Sequence, residues 1–317
     1  HFKLAALAAA TTFAALSAPV MADINVGISL SSTGPAAALG IPEKNTVALL
    51  PDTIDGQKIH YIVLDDATDA AQAGKNARKL VNDDKVDVIL GSSSTPPSAA
   101  IAEVANESKT PQIAVAPLEL PPSKNTWVFR APQHIRLMAE AIVEHMKKHG
   151  VKTMGFIGYT DAYGESWLKE ITAAAEAQGI KVGDVERFNR TDTSVTGQAV
   201  KLVASKPDAI LVAASGTPSV LPEVTLKDRG FKKQIYQTHG TATKEFIRVG
   251  GKAVEGTILP VGPVVVADQL PAASPTKKLG QDYTKRYEEK YGKGSFSSFG
   301  AQFYDAFLLF KAAVPVA

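Results

Sequence analysis

The chain has 317 residues, 45% hydrophobic and 21% charged, with 34 Lys and Arg against 32 Asp and Glu for a net charge of +2. This length suits two domains with full cores, and the balance excludes a disordered chain. The small net charge offers no long-range pull on phosphate backbones, so nucleic acid is not an expected partner. Cysteine is absent, which removes disulfides, thiolate metal sites and thiol nucleophiles.

In chain order, Lys3, an Ala-rich apolar run from Leu4 to Leu16 and the small residues up to Ala22 read as a secretory signal over residues 1–22, cleaved near Ala22. Strands are predicted at Ile24 to Leu30 and Ile59 to Leu64, then a helix from Asp69 to Val81. A strand at Val86 to Leu90 leads through Gly91 and Ser92 to Thr95 into a helix ending near Glu107, followed by strands at Pro111 to Val115 and Trp127 to Arg130. The pattern restarts with a helix from His134 to Lys148. Strands at Thr153 to Gly158, Lys181 to Phe188, Ala209 to Ala213 and Gln234 to Tyr236 follow, with helices between and after them. Ile258 to Val266, broken by Pro260, Gly262 and Pro263, suits a crossover, and helices are predicted from Pro275 to Lys290 and Phe299 to Ala313. Such alternation predicts an α/β protein of two doubly wound parallel-sheet lobes.

No Gly-x-Gly-x-x-Gly turn and no P-loop occurs, so no nucleotide cofactor is expected. The serines after Gly91 lack the Gly-x-Ser-x-Gly elbow, so an exported hydrolase, the competing reading, would still need a base beside one of the serine loops. His145 and His149 have metal spacing but lie beside Lys147 and Lys148, as a solvated helix end would, and no metal site is assigned. Asp65 and Asp66 fit loop capping better than acid–base work, and no catalytic residue is assigned. What remains is a set of hydroxyl-bearing loops at strand carboxyl ends: Ser31 to Gly34, Ser92 to Thr95, Ser215-Gly216-Thr217 and Thr238 to Thr241. That edge of an open α/β sheet is where ligands bind, and hydroxyls with helix-end amides suit a carboxylate.

Ile28 to Pro35, Leu64-Asp65-Asp66, Gly91 to Thr95, Asp161 to Glu165 and Val254-Glu255-Gly256 together resemble the type I periplasmic binding proteins of the leucine/isoleucine/valine-binding class. The resemblance implies a periplasmic, monomeric, non-enzymatic protein that closes two lobes over a small molecule and delivers it to the permease and ATPase of an ABC transporter. It implies lobe 1 at 23–131 with 265–317, lobe 2 at 132–264, and a multi-strand hinge with crossovers near Ala131 to Gln133 and Val261 to Val265 and a third beyond the present end. It carries ligand contacts onto Ser92, Ser93 and Ser94, onto the loop Ala116-Pro117-Leu118, where Pro117 replaces the family's threonine, and onto Tyr163. His239 stands where amino-acid binders carry a glutamate for the ligand ammonium. A buried ammonium without its anion is costly. His239 is open to three readings: a donor to a carboxylate, a donor to a phenol, or a structural loop histidine. The second lobe looks like the subset that binds aromatic carboxylates such as benzoate, hydroxybenzoate or phenylpropanoid acids. A branched-chain amino acid ligand and a ligand-sensing role for a membrane receptor are the alternatives.

Overall fold

The computed structural model describes residues 23–316, so the expected signal segment lies outside the described residues. The first stretch runs β1 (Ile24–Leu30), α1 (Ala37–Val47), β2 (Thr53–Ile54), β3 (Gln57–Asp65), α2 (Ala70–Asn82), β4 (Val88–Gly91), α3 (Thr95–Ser108), β5 (Gln112–Ala114) and β6 (Val128–Arg130). The second comprises α4 (Ile135–Lys148), β7 (Thr153–Tyr159), α5 (Ala162–Ala177), β8 (Lys181–Phe188), α6 (Thr196–Ala204), β9 (Ala209–Ala213), α7 (Val220–Asp228), β10 (Gln234–Gln237) and α8 (Lys244–Gly250). A 3-10 segment at Pro263–Gln269 precedes α9 (Lys277–Tyr291) and α10 (Ser298–Ala313).

One sheet has the order β2-β3-β1-β4-β5-β6, parallel except for the β2–β3 hairpin; the other is β10-β9-β7-β8 and wholly parallel. Parallel strands require crossover helices, which cover both faces and explain the continuous apolar runs of β1 and β9. In the first lobe Val26, Ile28 and Leu30 pack with Phe303, Phe307 and Phe310 of α10, while Ile89 on the other face meets Ala73, Ala77 and Leu80 of α2. In the second, α4 buries Ile135, Met138, Ala139, Ile142, Val143 and Met146, a single stripe at helical spacing. Each of the buried Ile, Val and Met side chains contributes roughly 1.5–3 kcal/mol, and alanine less. Among the described residues the chain passes twice between the sheets, after β6 and again after Ile258, which makes a single bridge to Tyr236. No helix among the described residues is long and apolar enough to cross a membrane.

Two elements go beyond the sequence expectations, α1 and the β2–β3 hairpin. Gly40 and Pro42 both weaken the helical signal of α1. The helix forms because it buries Leu39, Glu43 and Thr46 and packs against α10. The segment after Ile258 forms no regular strand; its prolines and glycine leave a 3-10 turn that packs on α9.

Candidate functional site

Both sheets reverse their strand order beside a central strand, so the loops leaving neighbouring strands diverge and open a crevice. In the first sheet this happens between β1 and β4, in the second between β7 and β9. The two crevices face each other across a small cavity between the lobes. Ser93, Ser94, Thr95, Val115 and Pro117 line it from the first lobe, and Tyr163, Arg190, Ser215, His239 and Gly240 from the second, with Leu39, Phe299 and Gln302 completing the wall. Its volume is about 10 Å³, room for about one water molecule.

On the first-lobe side, Asp66 at the end of β3 gathers three hydroxyls. Ser92 donates to it at 2.6 Å, Ser31 at 2.7 Å and Ser29 at 3.1 Å. Burial raises the Asp66 carboxyl pKa, and these donors pull it partly back. Glu43 of α1 accepts from Ser93, whose oxygen in turn accepts the Ser31 amide at 3.0 Å. Burial pushes the Glu43 carboxyl well above the usual carboxylate range. Gly91 lets β4 approach β1 closely: its φ is +132°, and a Cβ there would lie 2.0 Å from the Ser29 carbonyl oxygen. The loop that emerges is thus tied from beneath. Ser94 and Thr95 begin α3 with hydroxyls that are buried and have no partner. Pro96 and Pro97 remove two first-turn amide donors, so hydroxyls rather than backbone N–H groups dominate this edge.

On the second-lobe side, Arg190 follows β8. Its Nε donates to Asp161 at 2.6 Å and its Nη1 to Ser215 Oγ at 3.0 Å. The guanidinium lies 4.1 Å from the centre of the Tyr159 ring. Asp161 also caps α5 through the Tyr163 amide. The remaining nitrogen, Nη2, is buried and unpartnered. His239 is 5% exposed, and its Nδ1 is buried without a partner. Burial lowers its pKa to about 4, which leaves the ring uncharged at neutral pH. Tyr163 donates to Thr238 Oγ1 at 2.7 Å, since the one Thr238 hydroxyl proton goes to the Ala214 carbonyl, and burial raises the Tyr163 hydroxyl above the usual phenol range.

Of the residues expected at the site, Ser93, Ser94, Pro117, Tyr163, Ser215 and His239 converge on this cavity. Ser92 is buried beneath it, with its hydroxyl committed to Asp66 and its amide to Ser98 Oγ at 2.9 Å. Ala116 is buried outside the lining, and Leu118 packs with Ala102 and Ala114 in the core. Gly216, with φ +62°, sits against the other lobe, and a Cβ there would lie 3.0 Å from the Pro35 carbonyl oxygen. Thr217 faces a separate, more open groove with Ile41 and Phe246. Sequence reasoning missed Arg190, Glu43 and the gathering role of Asp66. The one available signal for Arg190 was a basic residue in a loop following a strand of the second lobe. His145 bonds Tyr236 through Nδ1 at 2.9 Å and stacks on His149, and no group of three metal-ligating side chains occurs among the described residues.

Two doubly wound lobes with unpaired donors meeting between them define a cleft-type binding protein. Residues 23–317 match the periplasmic binding protein family, and the chain belongs to it. It is 50% identical to an extracellular ligand-binding receptor from Rhodopseudomonas palustris, with a TM-score of 0.91 over 93% of this chain and 82% of that one. The leucine-, isoleucine-, valine-, threonine- and alanine-binding protein of Pseudomonas aeruginosa is 25% identical over 268 residues, 81% of this chain and 71% of that protein. An ABC-transporter solute-binding protein from Rhodopseudomonas palustris, solved with 3,4-dihydroxybenzoic acid, is 21% identical with a TM-score of 0.78, covering 92% and 80% of the two chains.

Proposed function

We propose that the protein is the exported, periplasmic solute-binding component of an ABC importer and that it captures a small organic acid, an aromatic carboxylate, by closing its lobes. One observation carries this: the cavity holds an arginine with a free buried nitrogen and unpaired hydroxyls from the facing lobe, and no carboxylate is among its lining residues. Arg190 Nη2 with the Ser94 and Thr95 hydroxyls would neutralise and bond an acid, each bond to the charged group contributing about 1.5–3 kcal/mol. These donors are buried around a cavity with room for about one water, so an aromatic acid reaches them only as the two lobes part. An acid that pairs them from both walls then favours closure through its differential affinity for the closed form. The residues 1–22 motif and the family support the exported location, and the family supports permease and ATPase partners.

The Pseudomonas relative supports a second reading, an aliphatic amino acid ligand. Against it stands the lining, in which no acid faces a ligand ammonium. Catalysis finds no support: beside the cavity Ser92 and Ser93 donate to Asp66 and Glu43, Ser94 has no partner, Ser215 accepts from Arg190, and none of the four bonds a histidine. A thermal-shift and calorimetric panel of benzoates, phenylpropanoid acids, aliphatic amino acids and sugars tests the assignment. Aromatic acids should raise the melting temperature, and a response confined to leucine or valine would overturn it.

A further inference from the structure

His239 takes no part in the neutralisation of an acid described above, yet it lines the same cavity. Its ring is held on two sides, near-parallel to Trp167 at 29° and 6.0 Å and tilted 49° to Tyr163 at 6.0 Å. Of the polar groups beside it, Thr238 Oγ1 donates to the Ala214 carbonyl at 2.7 Å and the His239 carbonyl accepts from the Ala242 amide at 3.0 Å, while Trp167 Nε1 is buried and, like Nδ1, has no partner among the described residues. Nδ1 is therefore a buried polar atom in a rigid aromatic seat with no partner among the described residues. A neutral imidazole can present either a donor or an acceptor at that atom by changing tautomer, and a hydroxyl can do the reverse. A second carboxylate would instead need a second cation. Arg190 is the one charged residue in the lining, with Nε and Nη1 already committed.

Resting on the aromatic-acid reading, we infer that the ligand carries a second, uncharged oxygen, a hydroxyl on its aromatic ring, that pairs with His239 Nδ1, and that dicarboxylates are excluded. A site built to bond a hydroxyl rejects the analogue lacking it, because the buried partner is left unpaired. His239 is thus a specificity-determining residue, separate from the charge recognition at Arg190.

Calorimetry on the intact chain with matched acids tests this: benzoate against its three monohydroxy isomers, cinnamate against its hydroxy isomers, and terephthalate as the dicarboxylate. At least one hydroxy isomer should bind tenfold or more tighter than its parent acid, with terephthalate weaker than the parent. In His239→Leu and His239→Gln the ratio between that hydroxy acid and its parent is the readout; it should fall towards one in the leucine variant and partly survive in the glutamine variant. Hydroxy isomers all within tenfold of their parents would overturn the inference while leaving the acid reading intact, as would tight terephthalate binding or a ratio unchanged in both variants. The wild-type series decides even where a variant fails to fold. Absence of binding by every acid would overturn both readings together.

Discussion

The first lobe meets the cavity with hydroxyls on a loop tied down by Asp66 and Glu43, whereas the second meets it with Arg190 and the rings of Tyr163 and His239. Carboxyl groups serve both sides but from different depths. Asp66 and Glu43 are fully buried, and burial favours their protonated forms. Asp161 is partly exposed and pairs with Arg190 as an ion. The first wall therefore has its shape fixed by hydrogen bonds from hydroxyls to buried carboxyl groups and the second by an ion pair. Damage to the first should appear mainly in stability and damage to the second mainly in affinity.

The largest expected effect tests the first half of that contrast. Asp66→Ala removes the acceptor of the Ser29, Ser31 and Ser92 hydroxyls and should cost about 4 kcal/mol of unfolding free energy in a denaturant titration. Asp66→Asn keeps an acceptor and should cost less. Next comes the pH response of His239, whose folded pKa of about 4 lies below its ordinary 6.5. The unfolded chain binds this proton first as pH falls, so stability is lost between about pH 6.5 and 4, by about 3 kcal/mol in all. Glu43 and Asp66, raised by burial, work in the opposite direction. The difference between wild type and His239→Gln across that range isolates the histidine, and parallel curves would show that it is not buried neutral. Arg190→Met should weaken acid binding by about 2 kcal/mol, or thirtyfold, by calorimetry, with a smaller change in melting temperature than Asp66→Ala gives. The smallest effect is Ser94→Ala, about fivefold in affinity with stability unaltered, since its hydroxyl has no protein partner to lose.

The wound α/β architecture was legible because its signals are local: apolar runs in β1, β4 and β9, the Asp69 cap of α2, and the apolar stripe of α4. Helix α1 was not legible, since Pro42 interrupts its pattern and its stability comes from α10, more than 250 residues away along the chain. The serine loop could be read as hydroxyl-rich. Which hydroxyls turn inward depends on the register that brings Asp66 beneath Ser92, and no local spacing encodes that. Arg190 was missed for the same reason: its partner Asp161 lies 29 residues away, and only the β7–β8 pairing brings the two loops together.

Gly216 bears on how the halves meet. Its bare α-carbon rests against the backbone at Pro35 and its φ of +62° is one that side chains rarely adopt, so a methyl group there would crowd the seam and strain its own loop at once. Gly216→Ala should therefore disturb both the contact with Pro35 and the neighbouring Ser215, which holds Arg190 Nη1. Seam and pocket thus share one stretch of backbone, and a change made for the first is felt in the second.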